Sequence, residues 1–260
     1  MLQHTVQTCI HSDTQLKYLL QLADNALILS HRNSQWCGHG PILEQDIALT
    51  NIALDQLGQA RNLYQYAALL LTEKTGITTT EDQLAYLRDT GEFKNCLLAE
   101  LPNGDWGQTV MRNFLISSYQ FFLYQELQYS NDGQLKAIAD KSIKEITYHV
   151  RWSADWVVRL GDGTAESHAR MVQALELLWA YTGEMLEPCD YELPFIAKQS
   201  SFIKAAWEAK IAAVLAEANL IHPTNDWMQS GGKKGIHTEH FGYLLAEMQF
   251  LQRAYPGLEW

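Results

Sequence analysis

In the stretch LDQLGQARNLY, residues 54–64, two glutamines stand three residues apart, Gln56 and Gln59. A helix that holds its share of a two-iron centre inside a four-helix bundle presents Glu and, three residues on, His. Carboxylates offer iron hard, charged oxygen and can bridge two metals, and imidazole offers nitrogen. A neutral amide does neither, so Gln56 and Gln59 would leave the charge of a metal pair uncompensated in a low-dielectric core. The matching place further along is KEITYHVRWS, residues 144–153, where His149 follows Ile146 by three residues and Ile146 carries no donor at all. Glu145 is turned about 100° away from that face; its four-residue spacing suits pairing with Lys141 or His149.

Other chemistry is sparse. No E-x-x-H or H-E-x-x-H occurs, GDGTAES lacks the third glycine of a dinucleotide turn, and GGKKG lacks the spacing of a phosphate loop. HTEH, residues 237–240, sets His237 and His240 on one helical face beside Glu239, but without a third and fourth ligand. Periodicity also has its plain readings. Glu44, Asn51, Asp55, Gln59 and Asn62 form a polar stripe, which reads as a solvated face. His149 by itself reads as a hydrogen-bonded core histidine, and Lys233 with Lys234 as a solvated turn.

The elements that must position these residues are helical. Leu19, Leu22, Ala23, Ala26 and Leu29 or Ser30 recur at helical spacing over roughly residues 14–33, up to the breaker WCGHGP. A second, unusually long helix is predicted from Ile42 to about Leu71, with Leu49, Ala53, Leu57, Ala60, Tyr64, Ala67 and Leu71 on its apolar face. About 33 residues of crossover follow, then helices over about 105–129 and 133–160 parted by the turn SNDG. Long helix, short loop, long helix, crossover and a second hairpin define an all-α, ferritin-like four-helix bundle with one long connection. Three further helices are expected at about 167–186, 200–219 and 238–253, packed around it. Residues 1–13 read as a flexible extension, and 14–260 as a single domain.

At 260 residues and 47% hydrophobic content the chain can bury an ample core. Its net charge of −11 disfavours nucleic acid and anionic lipid as partners. Cys9, Cys37, Cys96 and Cys189 are too dispersed for a redox or zinc pair and read as free thiols in a reducing cytoplasm. No stretch has the length of a membrane span.

Four stretches carry a family resemblance: DNALILSHRNSQWCGHGPILEQDIALTNIALDQLGQARNLYQYAA, LPNGDWGQT, the KEITYH helix with RLGDGT, and GGKKGIHTEHFGYLLAEMQFLQRAYPGLEW. Together they resemble the C-subunit family (PaaC) of the bacterial phenylacetyl-CoA epoxidases, over nearly the whole chain from about residue 16. The resemblance implies a ferritin-like subunit paired with a homologous catalytic subunit that holds the di-iron centre and the CoA thioester. In that homologue the motifs resemble DECGHGLYLY and KEESFH; here they read DQLGQARNLY and KEITYH. Gln56 and Gln59 then stand where its Glu and His stand, and Ile146 replaces a second Glu while His149 remains. The other ligand positions fall near Asn25 or Ala26 and near Ser117 or Ser118.

The expected function is therefore a non-catalytic structural subunit of the phenylacetyl-CoA 1,2-epoxidase complex, with a degenerate di-iron site and no cofactor of its own. Iron would reside in the partner, and FAD, an iron–sulfur cluster and NADPH would act through a separate reductase. Rival readings are an independent metalloprotein using His149, Asp55 or the HTEH segment, and a homo-oligomeric helical scaffold. Lys233, Lys234, His237, Glu239 and His240 are the expected partner-facing residues, on a loop whose glycines, 231, 232 and 235, would let it fit closely against another subunit.

Overall fold

The computed structural model describes residues 2–196, 198–224 and 227–258, with side chains from residue 13 onward. Four long helices form the bundle: α1 (Leu2–Ser34), α2 (Leu43–Thr75), α5 (Trp106–Leu127) and α6 (Gly133–Gly161). The crossover between α2 and α5 contains the short helices α3 (Glu81–Tyr86) and α4 (Leu97–Glu100), with a 3-10 turn at Thr90–Glu92. After the bundle come α7 (Ala165–Trp179), α8 (Gly183–Leu186), α9 (Leu193–Ile196), α10 (Ser200–Glu217) and α11 (Glu239–Ala254). No strand occurs among the described residues. Within the same set, no helix is long and apolar enough to cross a membrane. The expected flexible segment 1–13 has a helical backbone from Leu2, and its side chains up to residue 12 lie outside the described set.

Local chemistry explains the boundaries. At the end of α2, Gly76 takes a left-handed conformation (φ 72°) and donates its N–H to Thr72 O, an end that a β-carbon would strain. The SNDG turn supplies the start of α6, where Asp132 accepts from the N–H groups of Gln134 and Leu135. Asp105 does the same for α5 through Gln108. The expected helix over 167–186 is divided instead: α7 stops at Trp179, and Thr182 donates its hydroxyl to Trp179 O before α8 begins.

α1 packs along α2, α5 along α6, and α2 against α6; α7 and α10 cover the other side of α5. Consequently α5 is buried around most of its circumference, including Arg112, Asn113, Ser117 and Ser118. Trp207 of α10 reaches it directly, donating its indole N–H to Leu115 O at 3.0 Å and lying under the Trp179 ring. The crossover is bolted to α1. Asn25 Oδ1 accepts from Cys96 N at 2.7 Å, Asp24 accepts from Lys94 N and pairs with Arg88, and Arg32 Nε donates to Glu100 O.

On α2 the expected apolar face is buried except at two places. Leu71 is half-buried, and Leu57 is 40% exposed. Leu57 belongs to a second, outward row with Leu43, Ile47 and Leu54. Of the predicted polar stripe, Glu44 and Asn51 are exposed and Asp55 and Asn62 half-buried, whereas Gln59 is buried. Gln59 sits at the stripe's inner edge, about 40° from Asp55 and about 60° from Asn62 on the wheel, and that rotation carries it under α6.

Candidate functional site in the bundle interior

Gln56, Gln59, Ile146 and His149 are all at most 2% exposed, on facing stretches of α2 and α6. Each polar member has a specific partner. Gln56 Oε1 accepts from Asn33 Nδ2 of α1 at 2.9 Å, and Asn33 and Asn113 of α5 exchange two amide hydrogen bonds of 2.9 Å. Gln59 Nε2 donates to Glu145 Oε2 of α6 at 2.8 Å. One helical turn away, His149 Nε2 lies 3.0 Å from Asp55 Oδ2. Because an ionised carboxylate only accepts, the Nε2 atom carries the proton in that contact. The two cross-links tie α2 to α6 through amide and imidazole donors on half-exposed carboxylates.

This arrangement corrects one expectation. Glu145 is held by Gln59 across the helix pair, not by Lys141 or His149. The helix-one and helix-three contacts come from Asn33 and Asn113, about two turns along α1 from Asn25 and one turn along α5 from Ser117. Asn25 instead serves the crossover, Ala26 is core, Ser117 Oγ donates to Asn113 O, and Ser118 is buried. Neither asparagine carried a signal of its own in the sequence; only the register of the α1–α2 hairpin would have placed Asn33 opposite Gln56.

The donor set does not suit a di-iron pair. Gln56 offers an amide oxygen already engaged by Asn33, Gln59 turns its nitrogen to Glu145, and Ile146 offers nothing. Among the described residues no group of three or more His, Cys, Asp or Glu side chains is placed to hold a metal ion. Several buried polar atoms at this level, Gln56 Nε2, Gln59 Oε1 and His149 Nδ1, have no protein partner.

The GGKKGIHTEH segment lies against its own chain. Lys233 is 2% exposed; its Nζ contacts Glu192 Oε2 at 2.9 Å and Oε1 at 3.2 Å, and donates to Glu187 O at 3.1 Å. Glu184 Oε1 accepts from the backbone N–H of Gly231 and Lys233, and its Oε2 from Leu97 N. His237 bridges Glu100 Oε2 (2.7 Å) and Phe93 O, and stacks on Phe241. The glycines serve this internal fit: a β-carbon on Gly232 would lie 2.3 Å from Asn95 O, and one on Gly235, 2.2 Å from Gly91 O. Of the five residues expected to face a partner, Lys233 and His237 therefore point inward. Lys234 and Glu239 are exposed and His240 partly so. Sequence reasoning missed Glu184, Glu192 and Glu100, whose partners lie 40 residues or more away in the chain.

Fold and interior together define a ferritin-like helical bundle with a network of side-chain amides at its centre. The chain belongs to the family described as "Phenylacetic acid catabolic protein" (PaaA_PaaC), whose sequence profile matches residues 2–260. It is 46% identical over 247 residues to the C subunit of the 1,2-phenylacetyl-CoA epoxidase of Escherichia coli (strain K12), an alignment covering 94% of this chain and 98% of that protein.

Proposed function

We propose that this chain is a non-catalytic, structural subunit of a cytoplasmic 1,2-phenylacetyl-CoA epoxidase, pairing with a homologous subunit that carries the di-iron centre. The observation that supports this most directly is the state of the four interior positions. Gln56 and Gln59 spend their amides on Asn33 and Glu145, and Ile146 is apolar, so an oxygen-activating metal pair has no anionic cradle here. The similarity to an epoxidase C subunit along nearly the full length of both chains supports the biochemical setting. In this reading the bundle contributes shape and a docking surface, while FAD, iron–sulfur and NADPH chemistry reaches the partner through a reductase.

The test is metal analysis and turnover. Purified alone, the chain is expected to hold far less than one iron and to form no epoxide from phenylacetyl-CoA with any reductant. Activity should appear only when the di-iron subunit and the electron-transfer components are added. About two irons per chain, the complement of a di-iron bundle, retained after His149→Ala, would sink the proposal.

A further inference from the structure

α2 has two apolar faces, and the bundle uses only one of them. At 100° per residue, positions 43, 47, 50, 54, 57 and 61 fall within an arc of roughly 80°. They are occupied by Leu43, Ile47, Thr50, Leu54, Leu57 and Arg61. Leu43 is 72% exposed, Ile47 53%, Leu54 59% and Leu57 40%, with Ile42 beside them at 52%. Such alternating three- and four-residue steps are how one helix packs along another. The five aliphatic side chains present on the order of 500 Å² of apolar surface, near the top of the range for the largest patch on a monomer. That is more than half of the roughly 800 Å² each partner contributes to a standard interface. Exposed Glu44 and Asn51 flank it and Arg61 closes its C-terminal end, giving the apolar centre and polar rim of a protein interface.

A second observation comes from Gly58, at the edge of the same row. It lies inside a 33-residue helix, where glycine is the poorest former after proline. A β-carbon there would meet nothing within 4 Å. Nothing among the described residues requires a glycine at this place, as the close approach of another backbone would.

We propose that the outward row of α2, with Gly58 as its point of closest approach, is the seam on which the homologous di-iron subunit docks through a helix of its own. The inference rests on the pairing proposed above. A homologue of the same fold would bring a long second helix of its own, so the two could lie side by side about a pseudo-two-fold axis. A second copy of this chain is the poorer occupant, because it would bring a charge of −11 against −11.

The test co-expresses the chain with the affinity-tagged di-iron subunit of the same host, as wild type, Gly58→Ala, Gly58→Trp and Ile47→Glu/Leu54→Glu. Recovery ratio and light-scattering mass are measured for each complex, and circular dichroism and melting for each isolated chain. Gly58→Trp and the double variant should lower recovery at least about tenfold while the isolated chains melt within a few degrees of wild type; Gly58→Ala, which adds only a β-carbon at the point of closest approach, should lower it to a smaller extent. Wild-type recovery of both bulky or charged variants would overturn the seam while leaving the pairing intact. A wild-type chain that the tagged subunit does not retain would overturn the pairing, and the seam with it. A wild-type homodimer that the double variant converts to monomer, with the mixed complex unaffected, would assign the row to a second copy instead.

Discussion

Replacing Lys233 by Met is expected to be among the most damaging single changes in the C-terminal half, because the structure buries this ammonium with no access to water. Lys233 and Glu192 side chains are 2% and 1% exposed, and the ammonium makes three of its contacts to Glu192 Oε1, Glu192 Oε2 and Glu187 O. Without it Glu192 keeps, among the described residues, only Cys189 N (2.6 Å) and Gln21 Nε2 (3.0 Å) as donors, and its negative charge stays in the core. Breaking one side of a buried ion pair costs about 3–5 kcal/mol. For a chain of this size each kcal/mol lowers the melting temperature by roughly 2–4 °C, so a fall of about 6–20 °C is expected. Urea and thermal unfolding of Lys233→Met, with Lys234→Met as the exposed control, measure it. Adding Glu192→Gln removes the stranded charge and keeps an acceptor for Gln21 and Cys189, and should restore a large part of the loss. A Lys233→Met variant no less stable than the control, within about 0.5 kcal/mol, would refute the burial argument and return the segment to a solvated turn.

Gln56→Leu should destabilise by about 1–3 kcal/mol, because it strands an Asn33 N–H in a site sealed from water. Gln59→Leu should cost less, under about 1 kcal/mol, since half-exposed Glu145 can be rehydrated; denaturant midpoints in the reverse order would contradict the network. Thiol alkylation of the native chain near pH 8, read peptide by peptide, should modify exposed Cys37 and spare Cys96, whose thiol burial pushes up to about 12. Rapid labelling of Cys96 without unfolding would show that the crossover opens.

What could be read from the residues follows the range of the forces involved. Helical periodicity is local, so α2, α5, α6, α10 and α11 begin and end within a few residues of expectation, and caps such as Asp132 explain where. Leu57 shows where a wheel fails: it lies between the buried and the exposed row of one helix, and only the neighbouring helices decide which side is inside. Gln59 fails in the opposite sense, counted with a polar stripe yet rotated under α6. The interior network was legible as a set of positions, because the three-residue steps Gln56 to Gln59 and Ile146 to His149 each keep both residues on one side of their helix. Its hydrogen bonds were not, since Asn33 to Gln56 and Gln59 to Glu145 depend on helix register across 23 and 86 residues. The lysine pair was the hardest case, because adjacent Lys233 and Lys234 differ only in which side of a glycine-bounded 3-10 turn they occupy. One finds both carboxylate oxygens of Glu192 and the backbone carbonyl of Glu187, and the other is exposed. A charge is therefore informative about a surface only after its partners are known: here the cationic segment closes the fold on itself, and it is the mainly apolar outer row of α2 that we assign to another chain.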